Sequence, residues 1–174
     1  MSLYKYLKDN ATRIHYWGLG FIQVRVGENV NYHFYSESIA PNFDTENPHN
    51  HAREFRSEIL AGCLEEKRYH LTEGGSYEMR DNLCTTDDGI VPEKLYGVGC
   101  VEHNFYEKGD KYVCDKDTFH TVSATDCITK ITKYGDRGEV FSLKLNEAPK
   151  GVITRYSEDI LWKIVKEMCD KHEL

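Results

Sequence analysis

Hydrophobic and polar residues alternate over short stretches through the middle of the chain, which is the period of half-buried β-strands. The first two such stretches, residues 21–26 and 30–35, are joined by a Gly-Glu-Asn turn. Further short strands are predicted over residues 55–61, 63–71, 95–106, 111–114, 118–123, 127–134 and 140–145. Residues 72–92 are rich in Gly, Asp and Thr and are predicted to form a long loop.

Helical spacing of apolar residues is confined to the two ends of the chain. Leu3, Tyr6 and Leu7 predict a short leading helix that ends near Asn10. Near the C-terminus, apolar residues at three-and-four spacing predict an amphipathic helix over about 157–172, with Ser157 as its N-cap. These apolar residues are Ile160, Leu161, Ile164, Val165 and Met168. We expect this helix to pack on the strands or on a second subunit, which leaves a homodimer open.

Many short strands at even spacing predict an all-β fold, either a sandwich or a barrel. The chain has 12 tyrosines and 7 phenylalanines, whose rings suit the half-buried surface of a sheet. Its 174 residues fit one domain over 1–174, with a barrel core at about 20–147.

Composition excludes several classes of partner. A net charge of −7 opposes binding to a nucleic-acid backbone. No apolar stretch approaches the roughly 20 residues that span a bilayer, and the first residues lack the apolar core of a secretory signal. We therefore expect a cytoplasmic protein with a small-molecule partner and no membrane or nucleic-acid partner. The six cysteines form no C-x-x-C pair and are expected to be free thiols.

The strongest chemical signal is the pair His49 and His51. In an extended strand, residues i and i+2 point to one face, so their imidazoles can chelate one metal ion. Gly62 follows His51 by eleven residues, and Gly109 precedes His120 by the same interval. An H-x-H pair alone is common at polar surfaces, so the prediction of a metal site depends on the spacing of these glycines and of His120. His33 has no partner at chelating spacing and is predicted not to be a ligand.

These spacings resemble the two sequence motifs of the cupin superfamily. The resemblance implies a double-stranded β-helix (jelly-roll) barrel with short helices at both ends, and a metal held by His49, His51 and His120. The second motif keeps its spacing but replaces its usual Pro, Gly and Asn with Asp115, Asp117 and Ala124.

The first motif departs from the cupin pattern at the position of its metal-binding glutamate. Phe55 stands there, flanked by Glu54 and Glu58. The simpler interpretation is a site of three histidines, and a β-bulge that turns Glu54 inward, or coordination by Glu58, stays open.

A three-histidine set is similar to that of cysteine-dioxygenase-like cupins. That resemblance implies Fe(II), with Zn, Ni or Mn as other candidates, and a dioxygenase that combines O₂ with a small thiol or carboxylate-bearing molecule. It also implies a catalytic role for Tyr134. Candidate cations for a carboxylate are Arg25, Arg56 and Arg68. The alternatives are a cupin sugar isomerase or epimerase and a cupin that binds a small ligand without catalysis.

Overall fold

The computed structural model describes residues 1–16, 18, 20–39, 47–81, 95–145 and 155–174. Two short helices flank one antiparallel sheet of eight strands in the described residues. The elements are α1 (Leu3–Asn10), β1 (Ala11–Tyr16), β2 (Ile22–Val26), β3 (Val30–Tyr35), β4 (Glu54–Asp81), β5 (Leu95–Glu107), β6 (Lys111–Cys114), β7 (Phe119–Tyr134), β8 (Phe141–Leu145) and α2 (Glu158–Lys171). The β-rich prediction is confirmed, while the jelly-roll barrel stays a prediction.

The long strand β4 organises the sheet. The order of neighbours is β1-β2-β3-β7-β4-β5, and β6 and β8 also pair with β4. Its first residues pair with β6, its middle with β5, and its last with β8, while β7 follows it from Glu54 to Tyr69. Because one strand bends past four neighbours, the sheet is curled.

The two faces of the sheet carry separate apolar clusters. On β3, Tyr32 and Phe34 belong to the cluster that packs under α1 and α2, whereas Tyr35 belongs to the other. Ser157 caps α2 by accepting a hydrogen bond from the Ile160 amide, as its sequence predicts. We call the face away from the helices the site face. Its buried cluster comprises Tyr35, Phe55, Ile59, Leu64, Tyr112, Cys114, Cys127 and Ile131.

Residues 72–81 correct the prediction of a loop over 72–92, because they continue β4 as strand. Their backbone pairs with β5 and then with β8, and main-chain pairing tolerates a polar, Gly-rich sequence when both neighbours are present. Gly75 is required by this pairing, since a Cβ there would lie 2.4 Å from the Tyr96 carbonyl oxygen. The remainder of the predicted loop, 82–92, lies outside the described residues. Strand β1 was not predicted.

Gly62 does not end a strand as predicted, but it marks a shift of register within β4. The shifts lie between Ile59 and Ala61 and between Ala61 and Cys63, opposite Asp126 of β7, which has a positive φ of 55°. A strand irregularity of this kind inserts an unpaired residue and changes which face the next side chains occupy. None of the described helices is long and apolar enough to span a bilayer.

Replacing Gly62 with Ala should lower the free energy of unfolding by about 3–4 kcal/mol. Its φ is +70°, and an added Cβ would stand 2.2 Å from the Asp126 carbonyl oxygen. The matched control is Gly27→Ala, which has a φ of +63° and no atom within 4 Å of the added Cβ. That variant should lose about 1–2 kcal/mol, the conformational cost alone. Urea unfolding measures both, and equal losses would contradict the close approach.

Candidate metal centre

His49, His51 and His120 come together on the site face. Their nearest ligand atoms all lie within 4.8 Å of one another. Nε2 of His51 and Nε2 of His120 are 2.8 Å apart. Two imidazole nitrogens that bind one ion at about 2.0–2.1 Å and at right angles stand about 3 Å apart. The spacing therefore suits a single divalent ion.

Backbone pairing explains why residues 71 positions apart in the chain meet here. The His49 amide donates to the His120 carbonyl at 3.0 Å, and the His120 amide donates to the His49 carbonyl at 2.9 Å. Directly opposed residues of an antiparallel pair project to the same side. Because His51 lies two residues beyond His49, its side chain joins them.

Asn50 points away from the histidines and fixes their segment to the protein. It is 5% exposed, its Oδ1 accepts from the Phe141 amide at 2.6 Å, and its Nδ2 donates to the Glu139 carbonyl at 3.3 Å. The Leu143 amide also donates to the Pro48 carbonyl at 2.8 Å. The ligand segment is thus bonded to β7 on one side and to β8 on the other.

Hydrogen bonds select the tautomer of two of the three rings. Nδ1 of His49 lies 3.2 Å from the Asn47 carbonyl oxygen, which can only accept, so this nitrogen is the donor. Nδ1 of His120 lies 2.8 Å from Oε1 of Glu66. In both rings Nε2 therefore carries the lone pair, which is the arrangement that metal-binding histidines have in other proteins. In the absence of an ion, Nε2 of His120 can accept a hydrogen bond from Nε2 of His51.

Glu66 is completely buried and forms a charge network behind His120. Its Oε2 accepts from Nε of Arg68 at 3.0 Å and from the Tyr106 hydroxyl at 3.2 Å. Burial alone would raise the pKa of Glu66, but the hydrogen bond with His120 and the charge of Arg68 together lower it. The carboxylate is therefore ionised and holds the His120 ring in place.

Glu66, Cys114 and His120 form a second group with metal-ligand spacing. An ion there would need Nδ1 of His120 and would compete with Arg68 and Tyr106 for the carboxylate. Burial, followed by the charge of Glu66, raises the pKa of the Cys114 thiol to about 12, so it is protonated at neutral pH. Of the two groups, the three imidazoles are the better donor set, with Glu66 as their support.

The imidazoles of His49 and His51 are neutral at physiological pH. Burial, and then the neighbouring His120, lower the pKa of His49 to about 4. The same two causes lower the pKa of His51, to which His49, His33 and Lys133 add. Neutral imidazole is the form that binds metal, so little proton release opposes binding at pH 7.

The carboxylates considered as a fourth ligand lie elsewhere. Phe55 is 4% exposed, and its ring centroid lies 4.8 Å from that of His51, so it occupies the face on which a coordinating glutamate is expected. Glu54 is the cross-strand partner of Tyr134. Glu58 forms an ion pair with Lys111 at 3.3 Å. The carboxylate next to the histidines is Glu66, which did not enter the sequence prediction.

Tyr134 lies opposite Glu54, and burial followed by the charge of Glu54 raises the pKa of its hydroxyl. Since Phe55 is the cross-strand partner of Lys133, the register gives the site face to Lys133 and the other face to Tyr134. A catalytic role would require Tyr134 to face the histidines, and no contact between them is found among the described residues. Its catalytic role stays a prediction.

The three arginines considered as partners for a substrate carboxylate lie in different surroundings. Arg56 is exposed, Arg68 is bound to Glu66, and Arg25 is half-buried on the site face. His33, predicted not to be a ligand, is half-buried between Phe21 and Gln23.

No protein-family model matches the chain, and no curated protein shows significant sequence similarity to it.

Glu66→Gln should weaken metal binding by about 10- to 100-fold, the usual cost of losing a carboxylate that orients a histidine ligand. The matched control is Glu65→Gln, because Glu65 is the neighbouring residue and pairs instead with Lys67 and His103. Titration with Co(II) or Zn(II) measures the affinity. Equal affinities of the two variants would show that Glu66 has no part in the centre.

The metal-free protein should lose stability as the pH falls below about 6.5. The pKa values of His33 and His49 are lowered by burial to about 3 and about 4, below the unfolded value of 6.5. Between these values the unfolded chain binds more protons, so unfolding becomes easier by at most about 1.4 kcal/mol per pH unit for each group. His33→Gln should flatten this slope in urea unfolding at pH 4.5–7. An unchanged slope would contradict the assignment.

Proposed function

We propose that this protein is a cupin-type, metal-dependent enzyme in which His49, His51 and His120 bind Fe(II), and that it is a dioxygenase for a small thiol or carboxylate-bearing molecule. The observation that supports the proposal is the group of three imidazoles whose nearest ligand nitrogens lie within 4.8 Å of one another. Two of the rings have their Nδ1 atoms engaged by acceptors, so the Nε2 atoms are available.

The donor set fits such an ion. Imidazole suits Fe, Zn, Cu and Ni, and a centre with three protein ligands keeps positions open for small molecules. Three neutral ligands leave the ion its full double charge, which favours an anionic substrate such as a thiolate or carboxylate. When bound, Fe(II) would supply the capacity to bind O₂ and the substrate side by side.

The protein's own part is to hold the ligands and to exclude water. Glu66 and the Asn47 carbonyl orient the rings of His120 and His49. Phe55 packs edge-on against the ring of His51 with the ring planes at 83°. Tyr112 is 8% exposed and packs against Phe55, so one side of the centre is apolar. A dry, fixed donor set lowers the reorganisation needed to bind and position a substrate.

The alternative of a sugar isomerase receives less support. A sugar isomerase would be favoured if Glu54 or Glu58 were a metal ligand beside the histidines. Glu54 instead interacts with Tyr134, and Glu58 with Lys111. A cupin that binds a small ligand without catalysis would share the same centre and is distinguished by the second part of the test below.

Single replacement of His49, His51 or His120 by Ala should weaken metal binding by more than about 100-fold, since loss of a ligand costs more than loss of its supporting partner. The control is His103→Ala, which lies on β5, is 44% exposed in its side chain and pairs with Glu65. Metal analysis after loading with Fe(II) or Zn(II) gives the occupancy. Full occupancy in His120→Ala would refute the centre.

Oxygen consumption by the Fe(II)-loaded protein with a panel of small thiols tests the chemistry. We expect turnover with at least one thiol and none with the zinc-loaded protein, because Zn(II) has no redox chemistry. A fully iron-loaded protein that consumes no O₂ with any of them would leave a metal-binding protein and refute the dioxygenase.

A further inference from the structure

His120 belongs to two groups of metal-ligating side chains, one at each nitrogen of its ring. Its Nε2 atom lies 2.8 Å from Nε2 of His51. Its Nδ1 atom lies 2.8 Å from Oε1 of Glu66 and 3.8 Å from Sγ of Cys114. One ligand atom from each of Glu66, Cys114 and His120 lies within 4.8 Å of the other two. We call these three residues the Cys114 cluster.

The distances within the Cys114 cluster suit an ion that binds sulfur and nitrogen together. Zn(II), used here as a scale, binds imidazole nitrogen at about 2.0–2.1 Å and thiolate sulfur at about 2.3 Å, so at a tetrahedral angle the two donor atoms stand about 3.6 Å apart. The observed separation of Nδ1 and Sγ is 3.8 Å. The three side chains are buried, with exposed fractions of 0%, 0% and 1%. The cluster therefore needs little rearrangement to hold an ion.

The two oxygens of the Glu66 carboxylate have different partners. Arg68 and Tyr106 both donate to Oε2. Oε1 faces Nδ1 of His120. An ion at Oε1 would therefore take the place of the proton on His120 and leave the two hydrogen bonds to Oε2 as they are.

Charge balance in the cluster favours a monovalent ion. Glu66 and Arg68 form an ion pair at 3.0 Å, and the Cys114 thiol is protonated, so with a neutral His120 ring the buried set carries no net charge. A monovalent cation that replaces the thiol proton leaves this balance unchanged, whereas a divalent cation adds a buried positive charge, which is costly. Soft thiolate ligands select Cu(I). The cluster therefore suits Cu(I) better than the divalent ions that suit the three histidines.

The short strand β6 offers a route into the cluster. Cys114 is the last residue of this four-residue strand. Within the described part of the chain, β6 pairs with β4 and with no other strand. Short segments with few main-chain bonds are among the first to open locally. Such an opening would expose the sulfur while the pairing between His49 and His120 stays intact.

An ion in the Cys114 cluster is incompatible with an ion at the three histidines. A neutral imidazole has one N–H and one lone pair. A cation at Nδ1 of His120 uses the lone pair there, so the ring proton moves to Nε2, which is then no longer a ligand beside His49 and His51. The shared ring can therefore serve only one of the two groups at a time.

We propose that Glu66, Cys114 and His120 form a binding site for Cu(I), and that its occupation prevents a divalent ion from binding at His49, His51 and His120. This exclusion, but not the copper site itself, rests on the function proposed above. On binding, the sulfur–hydrogen bond of Cys114 breaks, a sulfur–copper bond forms and the proton passes to water, with no change of oxidation state. The protein would thus lose its divalent ion in the presence of Cu(I).

Anaerobic competition with the Cu(I) chelator bicinchoninate measures the copper affinity of the metal-free protein. The reference protein carries Ser in place of Cys63, Cys84 and Cys100, which lowers the background from other thiols; Cys63 and Cys100 are exposed. It should bind one Cu(I). Cys114→Ser and Cys114→Ala in this protein should each weaken binding by at least about 100-fold, because the soft ligand is lost.

The matched control is Cys127→Ser. Cys127 is also a completely buried cysteine of the site face, but it belongs to neither group of ligands. This variant should bind Cu(I) as the reference protein does. Circular dichroism checks that every variant is folded. Folded Cys114→Ser and Cys114→Ala variants that bind Cu(I) as tightly as the reference protein would overturn the site.

His51→Ala separates the copper site from the histidine centre, because His51 is a ligand of the second alone. Cu(I) affinity in this variant should stay within about 3-fold of the reference protein, whereas loss of a ligand costs more than about 100-fold. X-ray absorption of the bound copper should show a sulfur ligand in the reference protein. A Cu(I) ion that needs His51 and has no sulfur ligand would overturn the proposal.

Addition of one equivalent of Cu(I) to the Co(II)-loaded reference protein tests the exclusion. The visible spectrum of Co(II) should disappear in the reference protein and persist in Cys114→Ser. If Co(II) never binds but Cu(I) binds through Cys114, the function proposed above is wrong and the copper site stands. If Co(II) stays bound while copper occupies Cys114, the exclusion is wrong and the histidine centre stands.

Discussion

The candidate site depends on one pair of backbone hydrogen bonds, between His49 and His120. These bonds join a short segment outside the long strands to the start of β7, and a further bond from Leu143 to Pro48 joins the same segment to β8. Because main-chain pairing sets where the side chains project, the rings converge without a flexible loop between them. The position of His51 follows from that of His49 by alternation alone. Asn50, which projects to the other side, holds the segment in this register.

Charge is distributed unevenly around this pair. On one side the buried carboxylate of Glu66 is neutralised by Arg68 and hydrogen-bonded to His120, so it supports the ring. Elsewhere on the site face, Lys133 and Arg25 form no salt bridge with a carboxylate of the described residues. A divalent ion at the histidines would make this part of the site face more positive still.

The sequence allowed the histidines, most of the strands and the C-terminal helix to be predicted, because each leaves a local pattern. Residues 72–81 show no such local pattern, because they form a strand through main-chain pairing with β5 and β8, which are distant in the sequence. Glu66 lacked a signal because a glutamate beside Glu65 looks like an exposed strand residue until its partners are known. There is a specific cause for the fact that Lys133, and not Tyr134, lies on the site face. Strict alternation from His120 gives even-numbered residues the site face, and the irregularity at Asp126 reverses that parity, so that Cys127 and Ile131 face the site.

The facing irregularities at Gly62 and Asp126 divide β4 and β7 into halves with different tasks. The half of β7 before Asp126 carries His120, and the half after it carries Thr129 and Lys133. Insertion or deletion of a single residue at this junction would reverse which side chains of the second half of β7 lie on the site face, so that Ile128 would leave the helix-covered core and Thr129 would enter it, while His120 would keep its place. Because a hydroxyl would then replace an isoleucine side chain against the helices, the pairing of β4 with β7 at this junction tolerates no change in length.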